Sequence, residues 1–406
     1  MGKFISLSML KNYAPSLVNR DDTGDAKQVV VGGVNRARVS SQCLKRAVRQ
    51  EIGNRGITTA HLEDLVEKML IQEFENGNIQ EADIDKIGKI ICCDKVLNCN
   101  WDKRASISKD PNKDKNDKGR TVNQVNMLEI ETVVKTAIAN KEQKNLIKEV
   151  ETALKNVRIS SDKAMFGTMA TSGVIESVDG AVQVAQTFSI DEYIPEDDFI
   201  TVKFTGEKVD DFDPFFGSLK EFENENLKKP DAETLTSSCL HSNTMLTCTS
   251  INVEELKRNL SMSIQKTEVG VENVKNDVKK SISDYIETII TVEPSAKQNS
   301  MSSHSVPSVV YIEVIEGGAV KYPQGSFEKI VRRTESESIS EIGIKRIAEF
   351  AADDTFRNGT IKKYVMLSAP YKKPELEGKF TESGVIVISN LVQLRNVIGE
   401  EIEGLI

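Results

Sequence analysis

The sequence predicts an α+β fold, and three observations support that prediction. Residues 4–10 alternate between apolar and polar side chains, which is the period of a β-strand. Residues 58–156 instead repeat apolar side chains with the period of amphipathic helices, as in HLEDLVEKMLIQEF. Strand-like and helix-like stretches then follow one another to the end of the sequence. We therefore expect a core of sheet and helices with a helical insertion.

The first strand is predicted to be half-buried. Ile5, Leu7 and Met9 fall on one of its faces, and Ser6 and Ser8 fall on the other. An apolar face of this kind has to pack against another layer of the protein, whereas the serine face tolerates water.

The next elements are a loop, an extended stretch and a helix. The loop NYAPSLVNRDDTGDAK is rich in turn-forming residues. Residues 29–39 look extended again, and Ser40 and Ser41 can provide the N-cap of a helix that covers residues 42–50.

The remaining chain mixes both kinds of element. Residues 102–120 carry charges of both signs without an apolar cluster, which is typical of a solvated or disordered loop. Residues 190–240 are acidic, contain several phenylalanines and are predicted to leave the core. TMLTCTSIN, PSVVYIEV and KKYVML are predicted strands, and helices are predicted over residues 253–290 and around SISEIGIKRIAEF.

Composition excludes several classes of protein. The chain has 406 residues, with 53 Lys and Arg against 62 Asp and Glu, and a formal charge of −9. This acidic balance argues against general adhesion to nucleic acid. No run of about 18 apolar residues is present, so no membrane span is predicted. The six cysteines and three histidines lack metal-ligand spacing, so we expect no metal and no cofactor. Reduced cysteines without a secretion signal favour a cytoplasmic location.

One segment departs from the acidic balance. Between Ala26 and Gln50 there are six basic residues and no acidic one. On a helix over residues 42–50, one arc holds only apolar and small side chains, while the opposite arc is cationic or amide-bearing. That opposite arc consists of Gln42, Lys45, Arg46 and Arg49.

The preceding strand is predicted to add a second cationic row. Arg36 and Arg38 are two residues apart, so they project from the same side of a strand. Together with the helix they can line one groove, and backbone N–H groups at Ser40–Ser41 suit phosphate oxygens. A polyanion, a plain solvated face, and an anionic lipid or partner helix all remain open from these residues alone.

Three motifs resemble those of a known family. APSLVNRDD (14–22), Lys27, Gly32-Gly33 and ARVSSQCLKRAVR (37–49) closely resemble the backbone subunit of the type I-E CRISPR Cascade complex, the CasC family of the RAMP superfamily. TMATSGVIESVDGAVQVAQT (168–187) and VEPSAKQNS (292–300) resemble two further segments of that family, in the same order.

The resemblance implies a modified RRM-like (ferredoxin-like) palm with a helical finger insertion and a thumb β-hairpin. It implies a subunit without enzymatic activity that binds CRISPR RNA and stacks with further copies of itself along the guide. The guide would then pair with target DNA, and the other Cascade subunits would be further partners (large, small, guide-processing and 5′-end-capping), with no role for a membrane. The implied domains are palm over 1–57, finger over 58–156, palm over 157–189, thumb over 190–245 and palm over 246–406.

The resemblance also implies which residues contact RNA. Basic side chains would neutralise phosphates, and Ser40 and Gln42 would donate hydrogen bonds. Met169 would wedge against bases. The full implied set is Arg20, Lys27, Arg38, Ser40, Gln42, Lys45, Arg46, Arg49, Met169, Thr171, Phe199, Thr201, Lys297 and Gln298.

An enzymatic alternative belongs to a related class. Backbone subunits of type III complexes cleave target RNA with an aspartate after the first strand, and Asp21 and Asp22 lie in a comparable loop. The NRDD motif favours the non-cleaving family instead, in which these carboxylates would cap a turn or pair with arginine.

Overall fold

The computed structural model describes residues 2–52, 56–58, 62–103, 124–157, 159–168, 177–202, 234–262 and 268–406. The strands are β1 Lys3–Asn12, β2 Gln28–Val31, β3 Val34–Val39, β4 Gly56–Thr58, β5 Gln124–Asn126, β6 Val182–Val184, β7 Thr187–Ser189, β8 Glu196–Val202, β9 Thr234–Leu240, β10 Thr244–Asn252, β11 Pro307–Glu316, β12 Thr360–Leu367 and β13 Ile386–Val387. The helices are α1 Ser41–Glu51, α2 Leu62–Glu75, α3 Glu81–Cys92, α4 Met127–Ala139, α5 Leu146–Lys155, α6 Ser161–Phe166, α7 Val253–Ser261, α8 Glu268–Thr291, α9 Gln298–Met301, α10 Ile339–Ala352, α11 Pro374–Thr381 and α12 Leu391–Leu405.

A single large sheet organises the described residues. Its strands run in the order β13-β12-β11-β1-β10-β7-β3-β2, and β6 also pairs with β10. Neighbouring strands are antiparallel except β12 and β13, which are parallel. β4 with β5 and β8 with β9 form two separate antiparallel pairs. The prediction of a fold that mixes strands and helices is confirmed.

Helices cover both faces of this sheet. On one face α1, α7, α8 and α12 form a core that contains Leu44, Leu256, Tyr285 and Ile398. On the other face α10, α11 and the segment around Phe327 form a second core.

The prediction that β1 is half-buried is wrong, because the second core covers its serine face. Ile5, Leu7 and Met9 lie in the first core as expected. Ser6 and Ser8 are each only 4% exposed. The Ser8 hydroxyl donates to Cys248 Sγ at 3.6 Å, which provides a partner for this buried polar group.

The helices α2 to α5 have a core of their own, built around Trp101 and residues between Leu62 and Leu154. The Trp101 indole N–H donates to Asp85 Oδ1 at 2.8 Å. The domain boundaries expected from the sequence stay predictions. Apart from residues 102 and 103, the predicted charged loop over 102–120 lies outside the described residues.

A tight turn places β3 against the second core. Gly32 and Gly33 join β2 to β3 with φ angles of 59° and 75°, which glycine adopts without steric cost. A Cβ on Gly32 would lie 2.1 Å from the carbonyl oxygen of Glu328. Only glycine therefore lets the hairpin approach this segment.

In the parts of the chain that the structure describes, every helix is too short or too polar to cross a bilayer.

Candidate nucleic-acid interface

An open groove of about 660 Å³ lies where two distant parts of the chain meet. One side is the loop Val18–Gly24, the floor is the exposed face of α1, and the opposite side is Pro294–Ala296. Two of the three sequence motifs therefore lie in one place, although more than 240 residues separate them.

Local contacts at its N-terminus fix the start of α1. The Ser40 hydroxyl accepts a hydrogen bond from the backbone N–H of Cys43 at 3.2 Å, as an N-cap does. The Ser40 N–H donates to Asn19 Oδ1 at 2.8 Å. Asn19 thus ties the loop to the helix, a role that the sequence did not indicate.

The two faces of α1 are those that its sequence predicts. Leu44, Ala47 and Val48 are buried in the first core. Gln42 and Arg46 are exposed and line the groove. Lys45 is half-buried; burial first, and the Arg49 charge second, lower the pKa of its ammonium.

Arg49 differs from the predicted phosphate contact. Its Nε and one terminal nitrogen donate to Asp162 Oδ1 and Oδ2 at 2.7 and 2.6 Å. Asp162 is 2% exposed. The prediction of a cationic face without any carboxylate is therefore wrong at this end of α1, because residues 113 positions apart meet there.

The second cationic row is also not as predicted. Arg36 is 0% exposed, and its guanidinium donates to the carbonyl oxygens of Ser189, Phe327 and Glu328 at 2.8 to 3.2 Å. Arg36 therefore belongs to the core and lines no groove. The reason is that the 327–328 segment covers this face of β3.

Arg38 and Lys27 lie beside the N-terminus of α1 and do not line the groove. The Arg38 Nε donates to Gln186 Oε1 at 3.2 Å, and the Gln186 amide nitrogen donates to the Ser41 hydroxyl at 3.2 Å. Lys27 is half-buried, and its backbone carbonyl accepts from the Arg38 N–H at 2.8 Å.

The loop that forms one wall is held by Asp21. Its Oδ1 accepts from the Thr23 hydroxyl at 2.7 Å and from the N–H groups of Thr23, Gly24 and Asp25 at 2.9 to 3.0 Å. The Thr23 hydroxyl, followed by these amides, lowers the pKa of the Asp21 carboxyl. Asp21 thus caps a turn, while the Arg20 side chain beside it is exposed in the groove.

The opposite wall is anchored by a buried ion pair. Lys11 on β1 pairs with Glu293, and these side chains are 1% and 7% exposed. Glu293 directly precedes the Pro294–Ala296 wall. Lys297 is exposed in a left-handed conformation with φ of 58°. The Gln298 amide nitrogen donates to the Pro294 carbonyl at 3.0 Å, so Gln298 closes the loop.

Four of the predicted RNA contacts have no described side chain. Met169 and Thr171 lie outside the described residues. Phe199 and Thr201 lie on β8, whose backbone pairs with β9 opposite Ser237 and Leu235, but their side chains also lie outside what the structure describes.

A metal site was neither predicted nor found in the described ranges. Within them, no three side chains of His, Cys, Asp or Glu are grouped so that they could hold a metal ion.

Comparisons with known proteins show which family and which solved structures this chain is similar to. A family model described as CT1975-like protein matches residues 5–393. A chain of a solved "CRISPR RNA-guided surveillance complex, pre-nicking" is similar at a TM-score of 0.68 and 18% identity, over 98% of this chain and 100% of that one. A chain of another "CRISPR RNA-guided surveillance complex" is similar at a TM-score of 0.62 and 17% identity, over 98% and 99%. None of the curated proteins matches. At these identities the two structures show that the fold is shared.

Proposed function

This chain belongs to the CT1975-like protein family, and from that premise we propose that it is the CRISPR RNA-binding backbone subunit of a type I-E Cascade surveillance complex. In this proposal copies of the chain line up along one guide RNA and present it for pairing with target DNA. The complexes that share its fold are RNA-guided by their description, which supports a place for this chain in a CRISPR effector complex.

The observation that supports RNA binding best is the composition of the groove. Arg20 and Arg46 are exposed in it, and Gln42 adds a hydrogen-bonding amide. Asp21 and Asp22 also line the groove, but the Asp21 Oδ1 is occupied by hydrogen bonds within its own turn. Two cations and one amide along an open groove suit successive phosphates of a single strand, which a protein binds without reading sequence. In this proposal Lys27, Arg38 and Lys45 extend the contact around the N-terminal end of α1, and Ser40 contributes its hydroxyl.

The order of the central strands supports an RRM-like palm. β11, β1 and β10 are antiparallel neighbours in that order, and β6 and β7 each pair antiparallel with β10 on its other edge. α1 lies in the connection from β1 to β6, and α7 and α8 lie in the connection from β10 to β11. This is the order of a split βαβ fold. The α2–α5 helices and the β8–β9 pair then take the places of finger and thumb.

In the same proposal the chain does not cleave RNA. The turn around Asp21 supports this, because its Oδ1 accepts four hydrogen bonds and already has a structural role. The alternative, cleavage through Asp21 and Asp22, predicts cuts at regular spacing when the particle is incubated with Mg²⁺ and complementary RNA. Such cuts, abolished by alanine at both positions, would require the enzymatic function instead.

A salt series tests the binding groove. Single-stranded RNAs of two unrelated sequences are titrated with the wild-type chain, with Arg20→Ala and with Arg46→Ala. Each variant is expected to weaken binding equally for both RNAs and to lower the slope of log K against log salt by about 0.7. Arg395→Ala is the matched control, because Arg395 is a 56% exposed arginine on α12, outside the groove lining. An unchanged slope in both groove variants contradicts the proposal.

A further inference from the structure

We propose that Arg49 is a positioning residue and not a phosphate ligand, and that Asp162 on α6 is the residue that holds α1 in its RNA-binding orientation. This inference rests on the proposed function and adds a residue that lies in none of the three motifs. It also changes the role that the resemblance gives to Arg49.

The geometry of Arg49 commits it to the protein. Two of its donors meet both oxygens of one carboxylate, a bidentate arrangement that fixes direction as well as distance. The guanidinium also lies over the Phe166 ring, 5.5 Å from its centroid. The Arg49 side chain is 22% exposed, so little of it is left for a phosphate.

The partner of Arg49 belongs to a rigid element. The residue after Asp162 is Lys163, whose ammonium pairs with Glu129 on α4 at 2.6 Å, and these side chains are 2% and 9% exposed. Asn259 on α7 donates to the Ala164 carbonyl at 3.0 Å, and Ser281 on α8 donates to the Ser161 hydroxyl at 2.9 Å. Three helices other than α1 therefore fix α6 in place.

Fixing Arg49 sets the rotation of α1 about its own axis. Gln42, Arg46 and Arg49 are spaced i, i+4 and i+7, so they form one stripe along the helix. Ser40 holds the start of the helix to Asn19, and Asp162 holds the end of the stripe. With both ends held, Gln42 and Arg46 face the groove.

A double-mutant cycle on RNA binding tests this role. Arg49→Ala and Asp162→Ala are each expected to weaken RNA binding about five- to tenfold, and the double variant to bind no worse than either one, because both remove the same contact. The salt slope is expected to stay at the wild-type value. If Arg49 binds a phosphate, Arg49→Ala lowers the slope by about 0.7 while Asp162→Ala binds as well as wild type or better.

A charge-conserving variant adds a readout that does not depend on losing a charge. Arg49→Lys keeps the cation but cannot make the bidentate pair. A positioning role predicts that lysine binds RNA as poorly as alanine, whereas a phosphate ligand is largely restored by lysine. This arm decides the question even if Asp162→Ala does not fold.

One control tests whether a loss of stability alone weakens RNA binding, and a second tests the proposed function itself. Glu313→Gln breaks a buried ion pair with Arg357 in the second core, and it is expected to lower the unfolding temperature without changing RNA affinity. If the wild-type chain does not bind RNA, or Arg46→Ala has no effect, the proposed function fails. If both behave as expected but Asp162→Ala and Arg49→Lys bind like wild type, the inference about Arg49 is overturned.

Discussion

β3 and α1 follow each other in the chain and are both basic, yet the fold uses the charges of Arg36 and Arg46 in opposite ways. Arg36 on β3 is 0% exposed and donates to three backbone carbonyls. Arg46 on α1 is exposed in an open groove. A run of positive charge in a sequence therefore predicts neither exposure nor binding until the neighbouring elements are known.

The difference arises from what covers each element. β3 is a sheet strand between β2 and β7, and the segment at Phe327 and Glu328 lies over one face of it. α1 has only one covered face, because its other side forms the floor of the groove. The Arg36 guanidinium on the covered strand has to find acceptors within the protein, whereas the Arg46 guanidinium on α1 remains available to an anion.

The largest expected effect comes from removing the buried cation. Arg36→Ala leaves three carbonyls without their donor and opens a cavity, so we expect a loss of about 3–5 kcal/mol in the free energy of unfolding. Urea denaturation measures this change. Arg38→Ala is the matched control on the same strand, and since Arg38 is half-exposed it is expected to lose less than about 1 kcal/mol. Equal losses in the two variants would remove the distinction between the buried and the half-exposed arginine.

A buried histidine sharpens the comparison, because it lacks the partners that Arg36 has. His241 is 3% exposed, neither ring nitrogen has a hydrogen-bond partner in the described structure, and burial lowers its pKa from 6.5 to about 4. Between pH 6.5 and 4 the unfolded chain binds more protons at this site than the folded one. The free energy of unfolding is therefore unaffected by this site above pH 6.5, and it decreases as the pH falls from 6.5 toward 4.

We expect His241 to account for about 3 kcal/mol of destabilisation on going from pH 7 to 4. The His241→Phe variant, which cannot be protonated, should show a pH dependence flatter by that amount in urea denaturation at several pH values. His304→Phe serves as the control because His304 is exposed. If both variants keep the wild-type pH profile, His241 is not an uncompensated buried base.

Replacing Arg46 is expected to have the opposite effect to replacing Arg36, because it should change RNA affinity and leave stability unchanged. We expect Arg46→Ala to reduce RNA affinity about tenfold, which is about 1.4 kcal/mol, while its free energy of unfolding stays within about 0.5 kcal/mol of wild type. Fluorescence anisotropy and urea denaturation on the same preparation give both values. A large loss of stability would mean that Arg46 is structural like Arg36.

The smallest effect concerns the junction between the two elements. Ser40→Ala removes the N-cap of α1 and is expected to cost about 1 kcal/mol of stability. Ser338→Ala removes the N-cap of α10, which lies in the other core, and should cost about the same. Only the Ser40 variant is expected to weaken RNA binding as well, which is measured by the same anisotropy titration. If the two variants bind RNA with the same affinity, the N-cap of α1 does not contribute to RNA binding in the groove.

Much of the fold follows from local patterns. The 100° period of residues 42–50 predicts which side of α1 is buried, and Leu44, Ala47 and Val48 are buried. Ser40 is the N-cap that the sequence indicates. TMLTCTSIN and PSVVYIEV are strands β10 and β11. These features depend on residues within a few positions of each other.

What the sequence could not predict depends on distant segments. The acceptors of Arg36 are 153 to 292 positions away in the chain, and the partner of Arg49 is 113 positions away. The serine face of β1 looks solvated until α10 is placed over it. No local period contains information about such pairings, so both arginines looked like groove residues.

The position of β1 has a consequence for how the protein is made. It begins at Lys3, whereas its neighbours in the sheet, β10 and β11, begin only at Thr244 and Pro307. Until those strands have been translated, Ile5 and Leu7 have no sheet to join, and the wall at Pro294–Ala296 does not exist. The groove therefore cannot form, and under the proposed function cannot bind RNA, before the chain has been translated past Ala296.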